Sequence, residues 1–200
     1  FIDSFFESMS GMTTTGATVL TNLDETPKSI LIWRAMLQWL GGIGIIVIAI
    51  AVFPMLKVGG MQLFKTEFNS KDDKALPRTV TIATGIGSVY LVLTLMCFIF
   101  LVAAGMNLFD GISHAMTIIA TGGFSTKDMS IGHFNSLNIE IVTIFFMLIS
   151  SLPFLLLFQF SRGKVFDLLK NSQVHFFFYI VFGLILVITL LLQKYYEVSF

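Results

Sequence analysis

Two stretches of the chain follow one pattern: Asp3-Ser-Phe-Phe-Glu-Ser-Met-Ser-Gly-Met-Thr-Thr-Thr-Gly-Ala-Thr-Val-Leu20 and Phe109-Asp-Gly-Ile-Ser-His-Ala-Met-Thr-Ile-Ile-Ala-Thr-Gly-Gly-Phe-Ser-Thr126. Each opens on an Asp, carries a Glu or His four residues later (Asp3/Glu7 and Asp110/His114), and runs on through a short apolar helix of two or three turns. Each then ends in Thr-Gly and a small residue, Thr15-Gly16-Ala17 in the first and Thr121-Gly122-Gly123 in the second. Neither helix is long enough to cross a bilayer, and each lies next to a segment that is, so both read as re-entrant. Helix, short helix, Thr-Gly turn and helix thus form an internal repeat.

The rest of the sequence supplies the membrane. Of 200 residues 56% are hydrophobic and 12% charged, against about 25% charged in a soluble domain, and mean hydropathy is +0.88. Too few polar groups remain to solvate a globule. Four apolar runs, Ile30–Leu56, Thr79–Phe109, Ile141–Phe160 and Val174–Gln193, each exceed the roughly 18 residues that mark a spanning helix. A net charge of zero excludes the basic surface of a nucleic-acid binder. The chain opens on Phe1 in a helix-like stretch, without the basic start of a signal peptide, as a fragment of a longer protein does.

Charge sets the orientation. Lys57, Lys65, Lys71, Lys74 and Arg78 lie in the loop 57–78, and Arg162, Lys164 and Lys170 in the loop 161–173, which the positive-inside rule makes cytoplasmic. The opposite side carries Asp3, Glu7, Asp24, Glu25, Asp110, Asp128, Glu140 and Glu197, a negative face that concentrates cations. Both Thr-Gly turns belong to that outer side. A cation leaves water only where oxygens replace its hydration shell, and backbone carbonyls can do so. Glycine admits the positive φ that turns successive carbonyls one way. A short helix entering from outside also aims its partly negative C-terminus at the membrane centre. The plainer alternative for either segment is a Gly/Thr-rich surface loop; the repetition favours a filter.

The same residues, followed by Trp33-Arg-Ala-Met-Leu-Gln-Trp-Leu-Gly-Gly-Ile-Gly44, Gly59-Gly-Met-Gln-Leu-Phe-Lys-Thr-Glu67 and Thr121-Gly-Gly-Phe-Ser-Thr126, resemble the Trk/Ktr/HKT superfamily of potassium uptake proteins, most of all its bacterial Trk membrane subunit. The resemblance covers nearly the whole chain. It implies an all-α integral membrane fold of repeated helix–pore-loop–helix units, with four spanning helices and two re-entrant pore loops here. On that map residues 1–56 end repeat one (pore loop 3–20, helix 30–56). Residues 79–160 form repeat two (helix 79–104, pore loop 109–126, helix 138–160), and helix 174–193 opens repeat three. It further implies filter carbonyls at Thr14, Thr15, Gly16, Ala120, Thr121 and Gly122, with Gly16 and Gly122 as the filter glycines. Potassium is then a substrate, and no cofactor or transition metal is implied. A cytoplasmic nucleotide-binding regulatory ring, a homodimer of the full-length chain and a bacterial inner membrane complete the expectation. Ser150-Ser-Leu-Pro-Phe154 departs from the family's Gly-Asn-Phe-like stretch, and Pro153 predicts a kink.

Other polar residues receive plainer expectations. Arg34 and Gln38 share a helix face between Trp33 and Trp39, where a snorkelling Arg in an aromatic belt is the ordinary reading. Gly41-Gly42-Ile43-Gly44 predicts close helix packing rather than a hinge. His114 caps its helix or faces the vestibule, Cys97 is a buried small hydrophobe, and the Lys/Asp-rich stretch 65–78 is a solvated face. No nucleophile–base pair or metal-spaced cluster suggests an enzyme. Two rival classes remain: a secondary transporter of sodium or another solute with helices broken at the Thr-Gly sites, and a non-conducting remnant of a transporter. Passive flux and proton- or sodium-coupled symport are not separated by the sequence.

Overall fold

The computed structural model describes residues 1–56, 75–163 and 165–196. It contains the helices α1 (Ile2–Met12), α2 (Lys28–Leu56), α3 (Ala75–Ala103), α4 (Leu108–Ile119), α5 (Leu137–Ser150), α6 (Phe154–Ser161), α7 (Val165–Lys170) and α8 (Ser172–Tyr196), with single 3-10 turns at Leu23–Glu25 and Ser130–Phe134. The chain divides into two compact units, Phe1–Phe154 and Leu155–Phe200. Ala83–Ala103 and Ser172–Lys194 are each long and apolar enough to cross a bilayer, and α5 and α6 reach that length only when counted together. Helix α2 has 29 residues and is uncharged from Ala35 onward.

In the first unit α2, α4 and α5 pack against α3, and α1 packs against α2. The inward positions of α3, Tyr90, Thr94, Cys97 and Leu101, recur at helical spacing and are buried, whereas Leu91, Val92, Leu95, Met96, Ile99 and Phe100 point outward. A soluble helix would place its apolar stripe only inward; here the outward face is apolar too, as lipid requires. Tyr90 anchors α3 to α2: its hydroxyl donates to the Trp39 carbonyl at 2.9 Å, and Trp39 Nε1 donates to Thr94 Oγ1 at 3.1 Å. Met106, Ala115, Ile118, Ile119, Ile139 and Phe146 complete this core with Cys97, which is buried as its apolar setting predicts. The indole of Trp33, by contrast, is exposed and suits a lipid interface.

Three expectations about boundaries are corrected. The helix expected over 138–160 is not continuous: α5 stops at Ser150 and α6 starts at Phe154. Pro153 has no N–H to continue the ladder, and the Ser151 hydroxyl bonds back to the Met147 carbonyl at 2.8 Å. Ser150 does something more specific, donating to the Ile118 carbonyl at 3.1 Å and so tying α5 to the end of α4. The segment 161–173, expected as a loop, contains α7, and α3 begins at Ala75 inside the expected loop 57–78, whose remainder lies outside the described residues.

In the second unit α8 is apolar on nearly every side, with Tyr179, Phe182 and the run Leu184–Ile188 exposed. The Asn171 side chain accepts from the Gln173 N–H at 2.9 Å and caps the start of α8. Lys170 lies over the Phe166 ring at 5.9 Å.

Candidate functional site

Each short helix ends in the same backbone device. After α1, the N–H of Thr14 donates to the Gly11 carbonyl at 3.0 Å and that of Thr15 to Ser10 at 2.9 Å; after α4, Thr121 donates to Ile118 at 3.0 Å and Gly122 to Thr117 at 2.9 Å. This is the Schellman arrangement, whose pivotal residue sits in the left-handed region and is ordinarily glycine. Here it is a threonine both times, Thr14 at φ 55° and Thr121 at φ 52°. A β-branched residue at positive φ is a true outlier and costs of order 1–3 kcal/mol. Two residues on, Gly16 (φ 79°) and Gly123 (φ 81°) reverse the chain again.

This geometry corrects the register of the repeat. Gly16 corresponds to Gly123, and Gly122 corresponds to Thr15. Gly122 is not at positive φ, so it is glycine for a different reason: a Cβ there would overlap the side-chain amide of Gln38. Gly16 carries both constraints, since a Cβ on it would overlap the Gly122 carbonyl oxygen. Gly123 carries only the first, with open space around it.

Behind the turns, helix α2 supplies two polar side chains. Gln38 is fully buried; its Nε2 donates to the Gly122 carbonyl at 3.0 Å and its Oε1 accepts from the Phe124 N–H at 3.1 Å. Arg34, one turn earlier, is 3% exposed and pairs with Glu7 of α1 at 2.7 Å. It also donates to Thr18 Oγ1 at 3.1 Å and to the Ser125 carbonyl at 3.2 Å, and its guanidinium stacks on the Phe124 ring at 4.1 Å. The snorkelling expected of Arg34 is therefore wrong: the side chain turns inward and joins both returning strands. The signal was present, because an ionisable residue and an amide at i and i+4 in an apolar span mark a functional face by default.

The returning strands are tied to their own helices as well. Glu7 accepts from the Thr18 hydroxyl at 2.9 Å and from the Val19 N–H at 3.1 Å. In the second repeat His114 Nδ1 lies 2.8 Å from the Asp110 carbonyl, which can only accept, so Nδ1 carries the proton and Nε2 receives the Ser125 hydroxyl at 3.0 Å. His114 thus braces its strand from a buried position, neither in a vestibule nor at a helix end. Asp110 Oδ1 accepts from Thr126 at 2.6 Å, and Asn107 caps the start of α4 through the Asp110 N–H.

Glycines seat the ends of the short helices. A Cβ on Gly41 would overlap the Met12 carbonyl, and one on Gly42 would press on Ala120, whereas Gly44 faces open space. The packing expected of this motif therefore belongs to its first two glycines. In the segments that follow the two turns, Lys127 pairs with Asp24 at 2.8 Å, and the Leu23 N–H donates to Asp128. The bond to Lys127 holds the Asp24 carboxyl below its ordinary value, and the same bond raises Lys127.

Spanning helices, short helices that end in strained turns, and strands braced from behind define a helical membrane protein of pore-loop architecture. Residues 1–196 match the model of the TrkH family, described as cation transport proteins, and the chain belongs to that family. It is 47% identical to the Trk system potassium uptake protein TrkH of Vibrio parahaemolyticus, over 98% of this chain and 41% of the relative. It is 45% identical to TrkH of Escherichia coli K12, over 95% of this chain and 40% of the relative. The crystal structure of the potassium transporter TrkH from Vibrio parahaemolyticus superposes with a TM-score of 0.83 at 43% identity, covering 99% of this chain and 40% of that one. The chain thus spans about two fifths of the length of these relatives.

Proposed function

We propose that this chain contributes two strands of a potassium-selective filter to a longer pore-forming protein. The backbone carbonyls of Thr14, Thr15 and Gly16 and of Ala120 and Thr121 are the ion ligands, taking the place of hydration water; Gly122, whose carbonyl accepts from Gln38, and the left-handed Gly123 set the course of the second strand. The observation that carries this reading is the pair of threonines held left-handed at equivalent positions. Surface loops have no reason to store such strain twice, whereas a filter whose carbonyls must face one way does. Two strands cannot encircle an ion, so the ring is closed by the remainder of the full-length protein. Glycine rather than serine at position 16 favours potassium over sodium, by the family resemblance. A regulatory nucleotide-binding ring on the cytoplasmic side and dimerisation of the whole chain rest on that resemblance alone.

The test is uptake by the full-length protein in cells lacking other potassium uptake. Wild type should accumulate potassium in preference to sodium, and Gly16→Ser should lower that preference, since its side chain meets the Gly122 carbonyl. An unchanged potassium/sodium ratio at matched expression would remove residue 16 from the filter.

A further inference from the structure

Gln38 and Arg34 belong to the helix that follows the first turn, yet they contact the strand that follows the second. Gln38 contacts the backbone of Gly122 and Phe124, the two residues flanking the left-handed Gly123, with one amide serving as donor to one and acceptor to the other. An amide bonded in this way fixes the direction of a strand, because a reversed strand would present an N–H to Nε2 and a carbonyl to Oε1. Arg34 limits the freedom of the same helix face by joining Glu7, Thr18 and Ser125 and covering Phe124. The helix of the second repeat offers nothing comparable: the residues of α5 that border Thr121–Phe124 are Thr143 and Met147, with Ser151 just beyond.

We propose that Gln38 is a specificity-determining positioning residue of the second filter strand, on a helix face that Arg34 fixes, so that ion discrimination at Ala120 and Thr121 depends on a side chain of the preceding repeat. The inference rests on the filter reading above. Discrimination between potassium and sodium requires the oxygens to resist closing on the smaller ion. Gln38 fixes the strand just beyond those oxygens, holding the Gly122 carbonyl at 3.0 Å and the Phe124 N–H at 3.1 Å, so that the Ala120 and Thr121 carbonyls resist it; released, the strand can follow the smaller ion inward. Gln38 touches no ion; it acts through the strand.

Gln38→Met keeps length and volume but removes both hydrogen bonds. Gln38→Glu keeps the acceptor for Phe124 and loses the donor to Gly122. Both variants of the full-length protein are reconstituted in liposomes, and potassium, rubidium and sodium fluxes are measured at matched protein content. Both should lower the potassium/sodium flux ratio about tenfold, as loss of one or two buried hydrogen bonds allows, while potassium flux itself persists. Gln38→Met with a wild-type ratio would overturn the proposal, since packing alone would then suffice. Failure of both variants to accumulate in the membrane would also overturn it, by making the brace a folding element. Wild-type protein that conducts without selectivity would sink the filter reading first, and is distinguishable because it needs no variant.

Discussion

Glu7 and His114 occupy the same place on two short helices and hold the returning strand by opposite chemistries. The Glu7 carboxylate accepts the Thr18 hydroxyl at 2.9 Å; the His114 imidazole meets the Ser125 hydroxyl at 3.0 Å. A buried carboxylate requires a cation, and Arg34 supplies it. A neutral imidazole requires none, and no charged side chain of α5 stands opposite it. The position four residues after the Asp, Glu7 in one repeat and His114 in the other, is therefore a strand brace in both.

The buried pair should behave as a unit. Arg34→Met strands the Glu7 carboxylate and should lower stability by about 3–5 kcal/mol, read as an earlier midpoint in thermal unfolding of the detergent-solubilised full-length protein. Adding Glu7→Gln should recover much of the loss. Additive losses in the double variant would show that the two side chains do not interact.

The left-handed threonines should trade stability for function. Thr121→Gly removes the Cβ conflict of a residue at φ 52° and should stabilise the turn by about 1 kcal/mol. The freer backbone should lower potassium/sodium discrimination in the same protein. A variant both less stable and equally selective would mean the threonine is there for packing.

Gly41 and Gly44 make a controlled comparison on one helix. Gly41→Ala pushes α2 off the Met12 carbonyl and should reduce folded protein severalfold, or abolish it. Gly44→Ala meets nothing within 4 Å and should be neutral or slightly stabilising. Fluorescence-detected size exclusion of the two variants would decide; equal profiles would refute the seat.

The Asp24–Lys127 pair gives a pH signature. Asp24 is lowered from 3.8, so the stability it contributes is complete above that value and lost as pH falls through its folded value. Lys127 is raised from 10.5, so its contribution is complete below that value and lost as pH rises through its folded one. The tie is therefore intact across the neutral range. A carboxyl titration followed by carbon NMR should place the Asp24 midpoint below 3.8, and Lys127→Ala should return it to that value.

Much of this was legible in the sequence because it depends on local composition. Uncharged runs gave the long helices, and Asp, Glu or His and Thr-Gly at repeated offsets gave the short ones. Pro153 marked the break between α5 and α6, although only the structure ties Ser150 to the end of α4. Two features were illegible for one physical reason. The partners that Arg34 finds and the glycine requirement at 122 are set by contacts between residues distant in the chain, such as Arg34 with Ser125 and Gln38 with Gly122. Adjacent glycines at 122 and 123 look interchangeable in sequence; backbone angle demands one and a neighbour's side chain demands the other.

That last distinction bears on how such a chain could have arisen by duplication. The position that abuts Gln38 is Gly122 in the second unit, and its counterpart in the first unit is Thr15. A ring assembled from identical copies of the first unit would set a threonine side chain where Gln38 now tolerates only hydrogen. With this contact in place the two units are not interchangeable, and their order along the polypeptide matters.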